Sequence, residues 1–320
     1  MKPLRAFHKT HPAPGEPGRG GASESLPASG GSRPHALPNE LRAYHEALAT
    51  RGLARYGPGP RVHCHMGLVD RLPTPGTPAT ELRERLRASQ EALLAELARA
   101  MGPFPDGGDV MDVGSGLGGS ALYWAQEHRA SVTAMVNVPE HVEQVRRFAH
   151  EAGVGHRVQA RMTSAEESRG RARFDAIIAV ENACDLPRAD WLRVASSRLK
   201  PGGLLAIADC FWVRPGAVHP SGDAWRTHLG RVNEFLAAAQ QAGLELEVHD
   251  DVSARTVGFW TLTSELLVHE HMAHAPANAR NLRAALNAVR MESQRDHLWL
   301  QQGLMDGGLE YALLVLRREP

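Results

Sequence analysis

"VMDVGSGLGG", residues 110–119, joins a short apolar run, broken by one aspartate, to a loop holding four glycines. A run of this kind reads as a buried strand, and the "LGGSALYWAQEH" that follows reads as a helix. The chain beyond repeats the alternation. "SVTAMV" is a strand, and "PEHVEQVRRFAHEAG" is a helix opened by Pro139 and stopped by Gly153, with Val142, Val145, Phe148 and Ala152 on its apolar face. "RVQARM" and "FDAIIAV" are strands, "RADWLRVASSRL" a helix and "GLLAIAD" a strand. Strands and helices in this order predict a parallel α/β sheet covered on both faces. The last third predicts a helix over 228–242, a strand over 244–250, helices near 256–273 and 278–302, and a closing strand "LEYALLVLRR".

Upstream of the loop, Leu82, Leu86, Leu93, Leu94, Leu97 and Met101 recur at helical spacing between Glu81 and Met101, and Pro103 and Pro105 end that helix. A shorter helix is expected at "NELRAYHEALATRGL". Residues 1–38 are rich in Pro, Gly and Ser and nearly free of aromatics, the composition of a disordered tail. The expected organisation is therefore a tail over 1–38, a helical N-terminal lid over 39–105 and a ligand-binding domain over 106–320. Substrate-covering insertions fall near 212–230 and 256–302.

The 36 basic and 36 acidic residues cancel, so no net field draws the chain to nucleic acid or to an anionic membrane, and a small-molecule partner is expected. Three cysteines, Cys64, Cys184 and Cys210, lie far apart without metal-ligand spacing; they argue against a disulfide framework and fit a reducing cytoplasm. No stretch is apolar enough to span a bilayer, and no signal-peptide core is present. The sequence leaves open whether the chain forms a homo-oligomer.

Gly114, Gly116 and Gly119 satisfy G-x-G-x-x-G, which alone does not separate a dinucleotide site from other adenosine sites. A dinucleotide site wants an acid at the end of the second strand, and "AMVNV" has none. Asp112, two residues before the first glycine, gives D-x-G-x-G-x-G through Gly114, Gly116 and Gly118. With this signature the sequence resembles the class I S-adenosylmethionine-dependent methyltransferases; "LKPGG" at 199–203, a type II turn leading into a strand, and "FDAIIAVEN" strengthen the likeness. The resemblance implies a Rossmann-like, seven-stranded, mostly parallel sheet and a bound S-adenosylmethionine. Its backbone site would include Gly114, Ser115, Gly116 and Gly118, with Asp112 organising the loop or meeting the donor's ammonium group. In the position of the ribose-binding acid stands Val136 followed by Asn137, and His141 stands where related enzymes carry a glutamine. Ser164, with Ala165 beside it, replaces the usual adenine-contacting aspartate; its hydroxyl keeps hydrogen-bonding capacity.

"RVHCHMG" followed by "ELRERLRASQEALLAEL", together with "VGFWTLTSELL" and "GGLEYALLVLRR", is similar to a subgroup containing geranyl diphosphate and sterol C-methyltransferases. That resemblance implies that Gln90 approaches the donor and that Glu181, in "VEN", lies beside the reacting carbon. Trp225 falls near a cation-facing aromatic, with Trp212, Phe259 and Trp260 as further pocket-wall candidates. The subgroup's asparagine- and histidine-rich diphosphate stretch is not reproduced after Cys210, so Mg2+ is implied only if the acceptor is a diphosphate. His63, Cys64 and His65 project in different directions from an extended segment and no metal is expected there. The function expected is methyl transfer to a small, secondary-metabolite acceptor, at carbon, through a cation stabilised and deprotonated by Glu181. The alternatives are O- or N-methylation with His63 or His65 as base, or a cyclase that keeps the fold without transferring a methyl group.

Overall fold

The computed structural model describes residues 57, 59–162, 172–214, 230–274 and 294–320. The tail, the short helix expected at 39–53, Ser164, Ala165, Trp225, most of the first expected insertion (215–229) and the middle of the second (275–293) lie outside the described residues.

In chain order the elements are α1 (Ala79–Met101), β1 (Asp109–Val113), α2 (Gly119–Glu127), β2 (Ser131–Val136), α3 (Pro139–Glu151), β3 (Val158–Met162), β4 (Phe174–Val180), α4 (Arg188–Arg198), β5 (Leu199–Trp212), α5 (Val232–Gln241), β6 (Leu244–Asp251), α6 (Ser253–His274), α7 (Gln294–Met305) and β7 (Leu309–Arg318). The seven strands form one sheet in the order β3-β2-β1-β4-β5-β7-β6. The first five are parallel, and β7 runs antiparallel between β5 and β6. Strands β1 to β4 lie within a residue of their expected bounds; near-continuous apolar runs mark β1, β2 and β4 as buried on both faces, whereas edge strand β3 is buried only at Val158 and Ala160.

Side chains of the central strands alternate between two cores. Val110, Ile178 and Ala206 point into one with α1, α2, α3, α6 and α7; Met111, Ile177 and Leu205 point into the other with α4 and α5. On α1, all six expected apolar residues are buried, and Ser89 and Gln90 are buried with them. On α3 the buried set is His141, Val145, Phe148 and Ala149, so the stripe sits one step off the expected one, with Val142 and Ala152 only partly covered.

The strand expected to start at Gly203 begins at Leu199. "LKPGG" is a bulge inside β5, in which Phe174 pairs with Leu199 and Ala176 with Leu204, and Gly202 takes φ +76°. Parallel order puts the carboxyl ends of β1, β2, β4 and β5 along one edge of the sheet, where open α/β sheets bind ligands. Because β7 is antiparallel, its first residues reach the same edge: Tyr311 pairs with Cys210 and Leu309 with Trp212.

Candidate active site

The glycine loop leaves β1 on left-handed backbone, with φ +69° at Gly114, +51° at Gly116 and +86° at Gly118. Two of its glycines are bare for different reasons. A Cβ on Gly114 would lie 2.0 Å from Asn182 Oδ1, and the Asn182 amide donates to the Gly114 carbonyl at 3.3 Å. A Cβ on Gly116 would meet nothing closer than 4.0 Å, so the backbone there borders open space in which a ligand can approach the chain. The Ser115 amide donates to the Met135 carbonyl at 2.9 Å, tying the loop to the end of β2.

Asp112 lies beneath the loop, 1% exposed, and accepts from the Ser120 hydroxyl at 3.0 Å. Burial pushes its carboxyl up to about 6, and hydrogen bonding from Ser115 and Ser120 opposes the shift. Val136, the last residue of β2, and His141 on α3 are buried, and Asn137 between them is half-buried. Left-handed glycine backbone, open space at Gly116, a buried carboxylate and the Asn137 amide fit a donor carrying an ammonium group and a ribose. The sequence-expected residues from Asp112 to His141 are thus brought to one edge.

Glu181 follows β4 with φ +54°, in the left-handed region that a side chain beyond glycine rarely adopts. Its amide donates to the Ala208 carbonyl at 2.8 Å, which fixes that backbone against β5. Its Oε1 accepts from the Met66 amide at 2.6 Å and from the Tyr311 hydroxyl at 3.0 Å. Cys64 faces this carboxylate; desolvation first, and then the Glu181 charge, push its thiol up to about 12.

The leading segment that carries Met66 is clamped by α1 and α2. The Gln90 amide donates to the carbonyls of His63 (3.2 Å) and His65 (2.7 Å), and the Leu68 amide donates to the Ser89 carbonyl at 2.9 Å. Gln90, expected at the donor, gives its amide nitrogen to this segment and leaves its buried Oε1 without a protein partner among the described residues. A Cβ on Gly119 would sit 2.3 Å from the Val62 carbonyl oxygen, so the last glycine of the loop is what lets the segment lie on the start of α2. His63 and His65 are both buried and touch, with His65 Nε2 3.3 Å from His63 Nδ1 and His65 Nδ1 2.7 Å from the Met66 carbonyl. Desolvation first, and then His63, push the His65 ring down to about 3. Among the described residues, no three His, Cys, Asp or Glu side chains are grouped as a metal ion would require, and no helix is long and apolar enough to cross a membrane.

Sequence reasoning missed Tyr311, Asn182 and Asp209. Asp209 is fully buried at the end of β5 and accepts the amides of Cys184 (3.1 Å) and Cys210 (2.8 Å). Of the aromatic candidates, Phe259 and Trp260 are buried, and Trp212 meets Trp299 edge-on with ring centroids 5.4 Å apart.

Residues 110–203 match a family described as a methyltransferase domain. The chain is 31% identical over 182 residues to the 27-O-demethylrifamycin SV methyltransferase of Amycolatopsis mediterranei (strain S699), covering 54% of this chain and 66% of that protein. It is 34% identical over 127 residues to the erythromycin 3''-O-methyltransferase of Saccharopolyspora erythraea, covering 39% of this chain and 41% of that protein. These alignments span between 41% and 66% of the relatives' own lengths. Among solved structures, the geranyl diphosphate C-methyltransferase from Streptomyces coelicolor A3(2) superposes with TM-score 0.68 at 18% identity, over 89% of this chain and 100% of that one. At that identity the likeness is one of fold.

Proposed function

We propose that this chain, which carries a methyltransferase domain on the class I methyltransferase fold, moves the methyl group of S-adenosylmethionine to a small-molecule acceptor lying against Glu181. The observation that carries this reading is the placement of Glu181. It is an ionisable side chain on left-handed backbone at a strand's carboxyl end, next in sequence to the Asn182 that covers Gly114. The carboxylate and the glycine loop are thereby neighbours.

The donor supplies a methyl already activated by the sulfonium, so the protein's work is alignment and the exclusion of water. The Gly114–Gly118 backbone, Asp112, Val136, Asn137 and His141 would hold it, with Ser164 and Ala165 as the expected adenine contacts. Gln90 acts on the leading segment that roofs the site, and the half-buried Trp212 and Trp299, with Trp225 as a sequence-based candidate, offer aromatic faces to a cation.

Carbon is the acceptor atom we favour. Glu181 Oε1 takes two donated hydrogen bonds, and donated hydrogen bonds favour the ionised carboxylate over the neutral acid. A fixed anion stabilises the positive charge left on a carbon skeleton when an alkene attacks the methyl, and the same carboxylate then receives the proton lost as the alkene re-forms. A second reading, methylation at oxygen, is favoured by the names of the two sequence relatives. In that case Glu181 receives the hydroxyl proton. His65 is the weaker base, because both its ring nitrogens are engaged and burial disfavours its charged form. The missing asparagine- and histidine-rich stretch favours an acceptor without a diphosphate, and hence no Mg2+ requirement.

Incubation with methyl-labelled donor and a panel of prenyl diphosphates, indoles, phenols and macrolides, followed by location of the label, tests the reading. Label is expected on carbon, and Glu181→Gln is expected to lower that turnover by on the order of 10² to 10³ with donor affinity little changed. Label on oxygen, lost in Glu181→Gln, would replace the carbon reading with the second one; label that survives in Glu181→Gln would overturn the role of Glu181 in both.

A further inference from the structure

The leading segment is joined to the surface by a line of polar contacts that the proposed chemistry does not use. Arg61 donates through Nε to Glu91 Oε1 at 3.0 Å and lies 2.8 Å through Nη2 from Glu91 Oε2, while its Nη1 reaches Gln126 (3.1 Å) and Glu127 (2.7 Å). Glu91 Oε1 lies 3.6 Å from His63 Nε2, beyond hydrogen-bonding distance. From there the contacts run His63 Nδ1 to His65 Nε2, and His65 Nδ1 to the Met66 carbonyl. The Met66 amide then donates to Glu181.

The protons in this line follow from what each atom can do. A carbonyl only accepts, so His65 carries its hydrogen on Nδ1. A neutral His65 then presents a bare Nε2, which His63 must serve through Nδ1–H. Burial holds both rings below the ordinary histidine range, against the pull of Glu91 on His63, while Arg61 and Arg87 also disfavour its charged form. A neutral His63 owns one N–H, and two acceptors face it: His65 Nε2 and the Glu91 carboxylate. A carboxylate is the stronger acceptor of the two. Glu91 loses the competition because Arg61 grips both of its oxygens.

We infer that Arg61 is a positioning residue for Glu181: by occupying Glu91 it keeps the His63 hydrogen on Nδ1, and through His65 it holds the Met66 peptide against the Glu181 carboxylate. The inference rests on Glu181 serving the acceptor, but its first readout does not require the reaction. With Arg61 removed, Glu91 swings to His63 Nε2, the hydrogen moves there, two bare nitrogens face each other at His63 and His65, and Met66 loses its hold.

The test uses the full-length chain with ¹⁵N-labelled histidine. In the wild type, His63 and His65 are both expected as Nδ1–H tautomers. Arg61→Leu is expected to shift His63 to Nε2–H and to lower kcat about ten-fold, with KM for the donor within about two-fold, a size usual for coupling within one hydrogen-bond network. Arg61→Leu combined with Glu91→Leu removes the competitor, so it is expected to restore the Nδ1–H tautomer and most of kcat. A merely structural Arg61 would give a double variant no better than the single one. That result, or an unchanged His63 tautomer in Arg61→Leu, overturns the inference. If no methyl transfer is found with any acceptor, the functional reading fails while the tautomer comparison still decides this one.

Discussion

Glu181 and Asp112 each sit where a side chain of their kind is costly. A residue other than glycine at φ +54° carries strain on the order of 1–3 kcal/mol, tolerated where surrounding contacts over-determine it. At Glu181 those contacts are the Ala208 carbonyl, the Met66 amide and the Tyr311 hydroxyl. Replacing Tyr311 by Phe removes one donor from Oε1 and keeps the ring in the core; kcat is expected to fall about ten-fold, with the melting temperature nearly unchanged, in parallel kinetic and thermal assays. Asp112 is costly through desolvation. Its carboxyl is raised to about 6 from 3.8, so the unfolded chain ionises first and stability falls as pH rises between those values. Asp112→Asn is therefore expected to raise the melting temperature of the ligand-free protein at pH 8 by the equivalent of about 3 kcal/mol at most. The gain should vanish below about pH 4, and calorimetry should find donor binding lost. No stability gain at pH 8 would mean that Asp112 is better solvated than its burial implies.

The glycine loop and the leading segment behave as one unit. Gly119 touches the Val62 carbonyl closely enough that a methyl group forces the segment away from α2. Gly119→Ala is expected to lower both donor affinity and kcat, as read by calorimetry and turnover, whereas an alanine at exposed Gly155, whose Cβ would meet only ordinary contacts, should not. Much of this scale was legible in the chain. Apolar runs and the D-x-G-x-G-x-G spacing are local signals, so β1 to β4, α1 and the loop followed directly from them. What local patterning does not carry is partner choice across the fold. Tyr311 reaches Glu181 across 130 positions of sequence, and it does so only because β7 inserts antiparallel between β5 and β6. Nothing in the local sequence pattern sets Asn182, Arg61 or Glu91 apart from their neighbours. At "LKPGG" the positive φ of Gly202 is the one a type II turn requires, and what local patterning does not carry is that the strand already begins at Leu199, which only the ladder with β4 determines.

For the molecule as a whole, the two buried histidines set the acid side of stability. A ring held near 3 refuses a proton that the unfolded chain takes at about 6.5, so His65 costs stability progressively as pH falls through that window, and His63 acts in the same direction. Asp112 works oppositely between about 6 and 4, but one carboxyl does not offset two rings. The melting temperature is therefore expected to drop between pH 7 and pH 5 in thermal scans. His65→Gln should flatten that drop; a pH-independent melting temperature in the wild type would show that both rings are reached by water when folded.

The antiparallel placement of β7 also bears on how the chain acquires its shape during synthesis. Among the described residues β6 pairs with β7 alone, and β5 has one edge that β7 fills. Both strands leave the ribosome well before Leu309–Arg318, so for the time needed to translate residues 252–308 the nascent chain displays two unsatisfied strand edges. A chaperone that shields such edges would find its binding window there, and it would close at the moment the hydroxyl partner of Glu181 arrives.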